Sequence, residues 1–468
     1  MNSVWQRFTL SYLPLREFKG TSYLHRNLIG LLHSWRRSSW LMQWAEELAA
    51  VLVSLVFCLA PFVSNTLIGV LLIACAGFWL LLTLSDQSKT GLTPIHLLLL
   101  LYGGIATVAT ALSPVKTAAL SGWMKLILYL VLFALCSRIM RSPRIRSWLI
   151  NLYLHIALIV SVYGVRQRFD RVEALATWSD PTSPLSETTR VYSYLGNPNL
   201  LAGYLLPAVV FSLMAVFAWQ RRVPKALALT MFFVNSACLY FTDSRGGWIG
   251  IVVALGSLVF LLRYWWGEYL PRFWRIWLLP IIGAIVASLL ILGILFVEPL
   301  RLRVFSIFAG RDDSSNNFRI NVWLAVIDMI RDRPIIGIGP GNSAFNKIYP
   351  LYQNPKYPAL SAYSILLEVG VETGLVGLTC FLWLLVVMFN QAWIQLRRLR
   401  QIASRDGFWL IGAIATLLGM LAHGAVDTVW YRPEVNTLWW LMVAIIASYY
   451  RPLDQEQEQF SSRESHSS

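Results

Sequence analysis

Long apolar runs separated by short polar breaks dominate this chain. Ile68–Leu84, Ile95–Leu112 and Trp277–Val297 are the clearest of them. A helix rises about 1.5 Å per residue and the hydrocarbon core of a bilayer is ~30 Å thick, so one crossing needs roughly 20 such residues. Read this way, the pattern predicts about twelve crossings. They fall near residues 47–63, 66–84, 94–112, 121–137, 147–163, 200–219, 225–241, 246–262, 276–297, 361–389, 408–429 and 435–450. The first is the weakest pattern, because Glu46 and Glu47 sit at its mouth and Pro61 near its end. The predicted fold class is all-α. It is a polytopic membrane bundle of about twelve transmembrane helices with a large periplasmic loop containing short helices.

Composition supports this reading. Of 468 residues, 57% are hydrophobic and 13% charged, against about a quarter charged in soluble domains. The formal charge of +15 would suggest a nucleic-acid partner in a soluble protein. Here it is topological, and no nucleic acid is expected. With the N-terminus inside, the cytoplasmic segments hold Arg36, Arg37, Arg138, Arg141, Arg144, Arg146, Arg221, Arg222, Lys225, Arg397, Arg398, Arg400 and Arg405. The short outer turns hold only Lys116, Arg245 and Arg432. That asymmetry orients the chain. It predicts an inner-membrane protein with both termini in the cytoplasm. A basic N-terminal segment (1–46) and a polar tail (451–468) flank a membrane domain (47–450).

Two long connections then lie outside, at about 164–199 and 298–360. Long loops escape the charge rule and often carry function. No internal repeat is visible, which argues against an inverted-repeat transporter. The five cysteines all lie in apolar runs without metal-ligand spacing, so neither metal nor cofactor is expected. No cleavable signal peptide is evident in residues 1–46.

Four constellations carry candidate chemistry. In Tyr194-Leu-Gly-Asn-Pro-Asn-Leu-Leu-Ala202, Asn197 and Asn199 stand at a turn that opens a helix, and Asn199 is read as its cap. In Thr242-Asp-Ser-Arg-Gly-Gly-Trp248, Arg245 lies at the hydrocarbon edge with Asp243 as a nearby partner. A guanidinium there suits an anion, because its forked N–H groups match oxyanion geometry. In the larger loop, residues 316–330 show helical periodicity, with Ser315 or Asn316 as cap and Pro334 as stop. Arg319 would then stand on the first turn, where the helix dipole disfavours a cation, so its presence needs a reason, and holding an anion or a carboxylate is one. Gly337-Ile-Gly-Pro-Gly341 lacks the Lys-Ser/Thr of a phosphate loop and is read as a turn.

The fourth constellation is Ser361-Ala-Tyr-Ser-Ile-Leu-Leu-Glu-Val-Gly-Val-Glu-Thr-Gly374. Glu368 and Glu372 share one helix face there. They either pair with loop arginines or serve acid–base work. His423 and Asp427, one turn apart in the eleventh run, either bond to each other or act on a ligand.

Ser244-Arg-Gly-Gly-Trp248, Arg319 with Trp323, Pro334-Ile-Ile-Gly-Ile-Gly339 and Glu372-Thr-Gly-Leu-Val-Gly377 occur in an order that resembles the O-antigen ligase and polymerase superfamily, over about residues 190–445. Within it, Ser361-Ala-Tyr-Ser-Ile-Leu-Leu-Glu368 is most similar to the cyanobacterial inorganic-carbon (bicarbonate) transporter family. The resemblance implies a twelve-helix fold and a metal-independent transfer from an undecaprenyl-pyrophosphate-linked glycan. It places Arg245 and Arg319 on the anion; Arg303, in the larger loop, is added to them as a third candidate lining the same external cavity. The ligase pattern has a His where this chain has Tyr363. Tyr has a reference pKa near 10, against about 6.5 for His, and is a poor base at neutral pH. Tyr363, Glu368 and Glu372 are the catalytic candidates. Asn197, Asn199, Asp243, Trp323, His423 and Asp427 are supporting residues. The expected partners are membrane lipid and either a small oxyanion such as bicarbonate or a lipid-linked glycan. Three readings follow: bicarbonate accumulation, glycan ligation or polymerisation, and a non-catalytic membrane partner.

Overall fold

In a computed structural model, residues 3–11, 13, 30–85, 92–170 and 190–451 are described. The described residues form helices and connecting turns, with no strand among them. Each apolar run becomes a helix. They are α1 (Ala45–Leu59), α2 (Asn65–Ser85), α3 (Pro94–Ala111), α4 (Lys116–Ile139), α5 (Pro143–Phe169), α6 (Pro198–Ala218), α7 (Arg222–Phe241), α8 (Arg245–Trp266) and α9 (Arg272–Phe296). The larger loop holds α10 (Glu298–Phe308), α11 (Ser314–Asp332) and α12 (Asn342–Ile348). The chain closes with α13 (Ile365–Gln401), α14 (Gly407–Val426) and α15 (Pro433–Ser448).

Among the described residues, ten of these helices are long and apolar enough to cross a membrane. The remaining two predicted crossings, α1 and α15, have 15 and 16 residues. At about 1.5 Å per residue they are shorter than the hydrocarbon thickness. The tail beyond 451 and much of the 1–46 segment lie outside the described residues. The part that is described includes a short helix, Ser3–Phe8, tied to α13. Trp5 Nε1 donates to Asn390 Oδ1 (3.1 Å), and Trp383 Nε1 donates to the Phe8 carbonyl (2.8 Å).

The centre of the bundle is α6, α14 and α15. Along its apolar window α6 is 83% buried and α14 72%, whereas α9 is 0% buried and lies at the periphery. α8 crosses α14 at Gly250 and Gly419. A Cβ on Gly250 would stand 2.8 Å from the Gly419 carbonyl, so the two backbones touch. Small residues allow this approach where lipid offers no hydrophobic drive between helices. At the end opposite the large loop, Arg146 is a buried tie rather than only a topological charge. Its Nη2 meets Asp406 Oδ2 at 2.6 Å, and its guanidinium stands 3.9 Å over the Tyr449 ring.

The predicted tenth crossing differs most from expectation. α13 is interrupted at Gly374, where φ is 69° and ψ −174°. The glycine segment Pro334–Gly341 fills the break. Ile338 N donates to the Val371 carbonyl (2.9 Å), Gly339 N to the Glu372 carbonyl (2.9 Å), and Leu375 N to the Pro334 carbonyl (2.7 Å). On its other side Ser113 Oγ donates to the Ile338 carbonyl at 2.6 Å. Gly341 lies on Gly122 of α4, where a Cβ at 122 would fall on the Pro340 carbonyl. Gly337, Gly339 and Gly341 all have positive φ, of 74°, 96° and 96°, which only glycine adopts without strain. This run is therefore a backbone clamp.

Gly122→Leu should expel the clamp from α4. A loss of roughly 2–3 kcal/mol is expected for overpacking at such a contact, read as a lowered Tm in detergent and faster proteolysis within 334–341. Gly256→Ala is the control, since a Cβ there meets nothing within 4 Å. Equal Tm values for the two variants would contradict the clamp.

Candidate functional site

The clamp fixes α11 across the ends of α8, α13 and α14, and this is where the arginines gather. Arg245 is the first residue of α8, and Ser244 Oγ caps the helix by accepting Gly247 N at 3.2 Å. A cation at a helix N-terminus opposes the dipole and needs an anion. The anion is Asp313, not the predicted Asp243. Arg245 Nη2 lies 2.9 Å from Asp313 Oδ1. Its Nη1 donates to the Ser306 carbonyl (3.1 Å), Ser306 Oγ (3.2 Å) and Asn316 Oδ1 (3.3 Å).

Asp313 is also the true cap of α11, its Oδ1 accepting Asn316 N at 2.9 Å. Ser315 and Asn316 are therefore inside the helix, and Arg319 stands on its second turn rather than its first. The dipole argument made for Arg319 applies to Arg245. Arg319 Nη2 instead reaches Asp427 Oδ2, just past the end of α14, at 3.4 Å. Of the two readings given for His423 and Asp427, the mutual side-chain bond is not formed among the described residues, and the Asp427 carboxylate takes this ion pair instead. His423 is buried and packs on Gly246, where a Cβ would stand 2.7 Å from its Cδ2.

A second group of charges adjoins the first. Arg190 donates from Nε to the Thr242 carbonyl (3.1 Å) and from Nη2 to Asn199 Oδ1 (3.0 Å). Asn199 is thus a tether for Arg190. Asn197 is the residue that caps α6, accepting Asn199 N at 2.8 Å. Burial lowers Arg190 to about 10, with Arg303 adding to the fall and Asp243 opposing it. It stays cationic at neutral pH. Arg303, on α10, is also lowered by burial, against the opposing charge of Asp243. Burial raises Asp243 above the usual carboxylate range, although Arg303 and Arg190 pull it down. Arg190, Arg245, Arg303 and Arg319 therefore share one field with Asp243, Asp313 and Asp427.

Tyr363 borders this cluster with φ of 50°, a conformation that strains a bulky residue by roughly 1–3 kcal/mol. Trp323 Nε1 donates to its carbonyl at 3.3 Å, and Phe318 stands edge-on to its ring at 5.4 Å. Burial, reinforced by Asp427, pushes the Tyr363 hydroxyl well above its ordinary value. Glu368 and Glu372 form no ion pair among the described residues, contrary to one of the two readings given above. Glu372 Oε1 accepts Gly341 N at 2.7 Å and so belongs to the clamp. Glu368 is buried on the same face.

Sequence reasoning brings Arg245, Arg303 and Arg319 to one place and misses Arg190, Ser306 and Asp313. Asp313 carried a readable signal: an Asp before Ser-Ser-Asn is a strong helix cap. Arg190 carried none, because its loop is too long for charge to be informative. One further feature is apolar. A cavity of about 510 Å³, lined by Val253, Ser257, Phe260, Phe389, Trp393 and Leu418 among others, lies along the part of α8 from Val253 onward.

If the Arg319–Asp427 contact is a working ion pair, a double-mutant cycle with Arg319→Ala and Asp427→Ala will show coupling of roughly 1–3 kcal/mol in thermal or denaturant unfolding. Additive losses would mean that the pair contributes nothing to the fold.

No curated protein sequence matches the chain. Residues 228–382, which run from α7 into α13 and include Arg245, Arg303, Arg319 and Glu372, match the O-antigen ligase family. Within this multi-pass helical architecture, that stretch is an O-antigen ligase family domain.

Proposed function

We propose that the arginine cluster holds the anionic head of a lipid-linked glycan donor, and that the protein passes the glycan to an acceptor hydroxyl. The observation that carries this reading is the convergence of four guanidiniums at the end of α8, a helix whose flank also lines an apolar cavity. Arginine forks suit the oxygens of a pyrophosphate, and apolar cavities suit a hydrocarbon tail. The short-loop charges support an arrangement with this end outside the inner membrane and both termini in the cytoplasm.

In such a transfer the acceptor oxygen attacks the anomeric carbon, and the bond from that carbon to the phosphate oxygen breaks. The pyrophosphate leaves with the electron pair, and Arg245 and Arg319 stabilise the charge that develops on it. The acceptor proton needs a base. Tyr363 does not supply one, because its buried hydroxyl keeps its proton. Asp427 is the assigned acceptor. When Arg319 turns to phosphate, the Asp427 carboxylate loses its ion-pair partner and its oxygen is free to take the proton.

A second reading is bicarbonate accumulation through the same anion site. It is favoured by Tyr363, which stands where the ligase pattern has its His.

Gene deletion separates the two readings. Under the first, lipid-linked glycan accumulates and the surface glycan profile changes, and Arg245→Ala fails to restore either. An unchanged profile with no accumulated donor would reject it. Under the second, protein in liposomes takes up labelled bicarbonate under a sodium or proton gradient, and absence of uptake rejects direct transport. Tyr363→His should raise transfer by at least several-fold if a base is limiting at this position.

A further inference from the structure

The anion seat at Arg245 is filled by the protein itself. We propose that Asp313 is a specificity-determining residue: it occupies Arg245 so that only an anion carrying more than one negative charge displaces it. This inference rests on the donor-head reading of the site.

Arg245 spends its guanidinium on Asp313 Oδ1, the Ser306 carbonyl, Ser306 Oγ and Asn316 Oδ1. The pair is sheltered, with side-chain exposures of 11% for Arg245 and 20% for Asp313. A sheltered ion pair is poorly screened, so an incoming anion must replace nearly all of its energy. A single-charged anion returns about what it removes. An anion with several charges also engages Arg319 and Arg303, and Arg190 adds its field to the same region. It therefore gains what Asp313, with its one carboxylate on one arginine, lacks.

The exchange is local. The same Asp313 oxygen that meets Arg245 accepts Asn316 N at 2.9 Å, so after losing the arginine it still caps α11. Asn316 Nδ2 donates to the Ser306 carbonyl at 2.8 Å and keeps α10 in place without Arg245. Neither helix has to unfold for the seat to open.

Asp313→Asn tests this cleanly, because Asn caps a helix as well as Asp does and removes only the charge. The full chain, purified in detergent, is titrated calorimetrically with inorganic pyrophosphate and separately with bicarbonate. The wild type should bind pyrophosphate and show no bicarbonate binding. Asp313→Asn should bind pyrophosphate ~10-fold more tightly and gain measurable bicarbonate binding, and Arg245→Ala should lose the pyrophosphate signal. Pyrophosphate binding that depends on Arg245 but is identical in wild type and Asp313→Asn, with bicarbonate still silent, overturns the role of Asp313 and leaves the donor-head reading standing. No Arg245-dependent binding of either anion in any variant overturns both. Bicarbonate binding as tight in the wild type as in Asp313→Asn also overturns the role given to Asp313.

Discussion

Backbone amides inside a lipid-embedded bundle must find partners within the protein, because hydrocarbon offers none. The break in α13 at Gly374 exposes such groups, and the segment Pro334–Gly341 satisfies them with three backbone hydrogen bonds and one to the Glu372 carboxylate. Everything described at the arginine end depends on that exchange. It holds the larger loop against α4 and α13, which sets α11 across the mouth of the bundle. Arg319 then faces Asp427, and Asp313 faces Arg245. Without the clamp Arg303 and Arg319 would sit on an untethered loop, and repulsion from Arg245 and Arg190 would push them away.

The cluster uses charge in an unusual proportion. Each of three carboxylates lies beside at least one guanidinium, and four guanidiniums are present. The site is thus nearly neutralised by its own side chains and keeps a small cationic excess. Such a site tolerates partial burial at the membrane edge, where an uncompensated cation would be costly. It also favours ligands that can replace several internal contacts at once. The O-antigen ligase family match over residues 228–382 spans Arg245, Arg303 and Arg319. Arg190 and Asp427 come from outside that stretch, so the completed site joins distant parts of the chain.

Much of the fold was legible because membrane insertion writes itself into sequence as length and hydropathy. Every predicted crossing corresponds to a helix, and the differences are the break in α13 at Gly374 and the ends and caps of other helices. Asn199 was read as the cap of α6, yet Pro198 occupies the first helical position and leaves Asn197 as the residue that can cap it. The site was legible only by residue type. That Arg245 lies in an anion-seeking position follows from local pattern. Which of Asp243, Asp313 and Asp427 it meets depends on how a loop of several short helices returns to the bundle, and no local rule fixes that. The Glu368–Glu372 pair shows the same limit. Its spacing predicts a shared face correctly, but not that Glu372 would serve the backbone rather than an arginine. Arg146, counted among topological charges, proved to be a buried tie for the same reason.

Gly374 has a mechanical meaning as well. A continuous helix would transmit any tilt of its membrane-spanning part to its exposed end. Here the turn at φ of 69° divides the helix, and the loop segment is hydrogen-bonded to both halves, through Val371 and Glu372 before the turn and Leu375 after it. The loop segment is therefore a splint across the turn, and it also rests on α4 at Gly122. A pull on α11 or α12 is thus shared between both halves of α13 and α4, instead of falling on the short stretch that carries Glu368 and Glu372 alone.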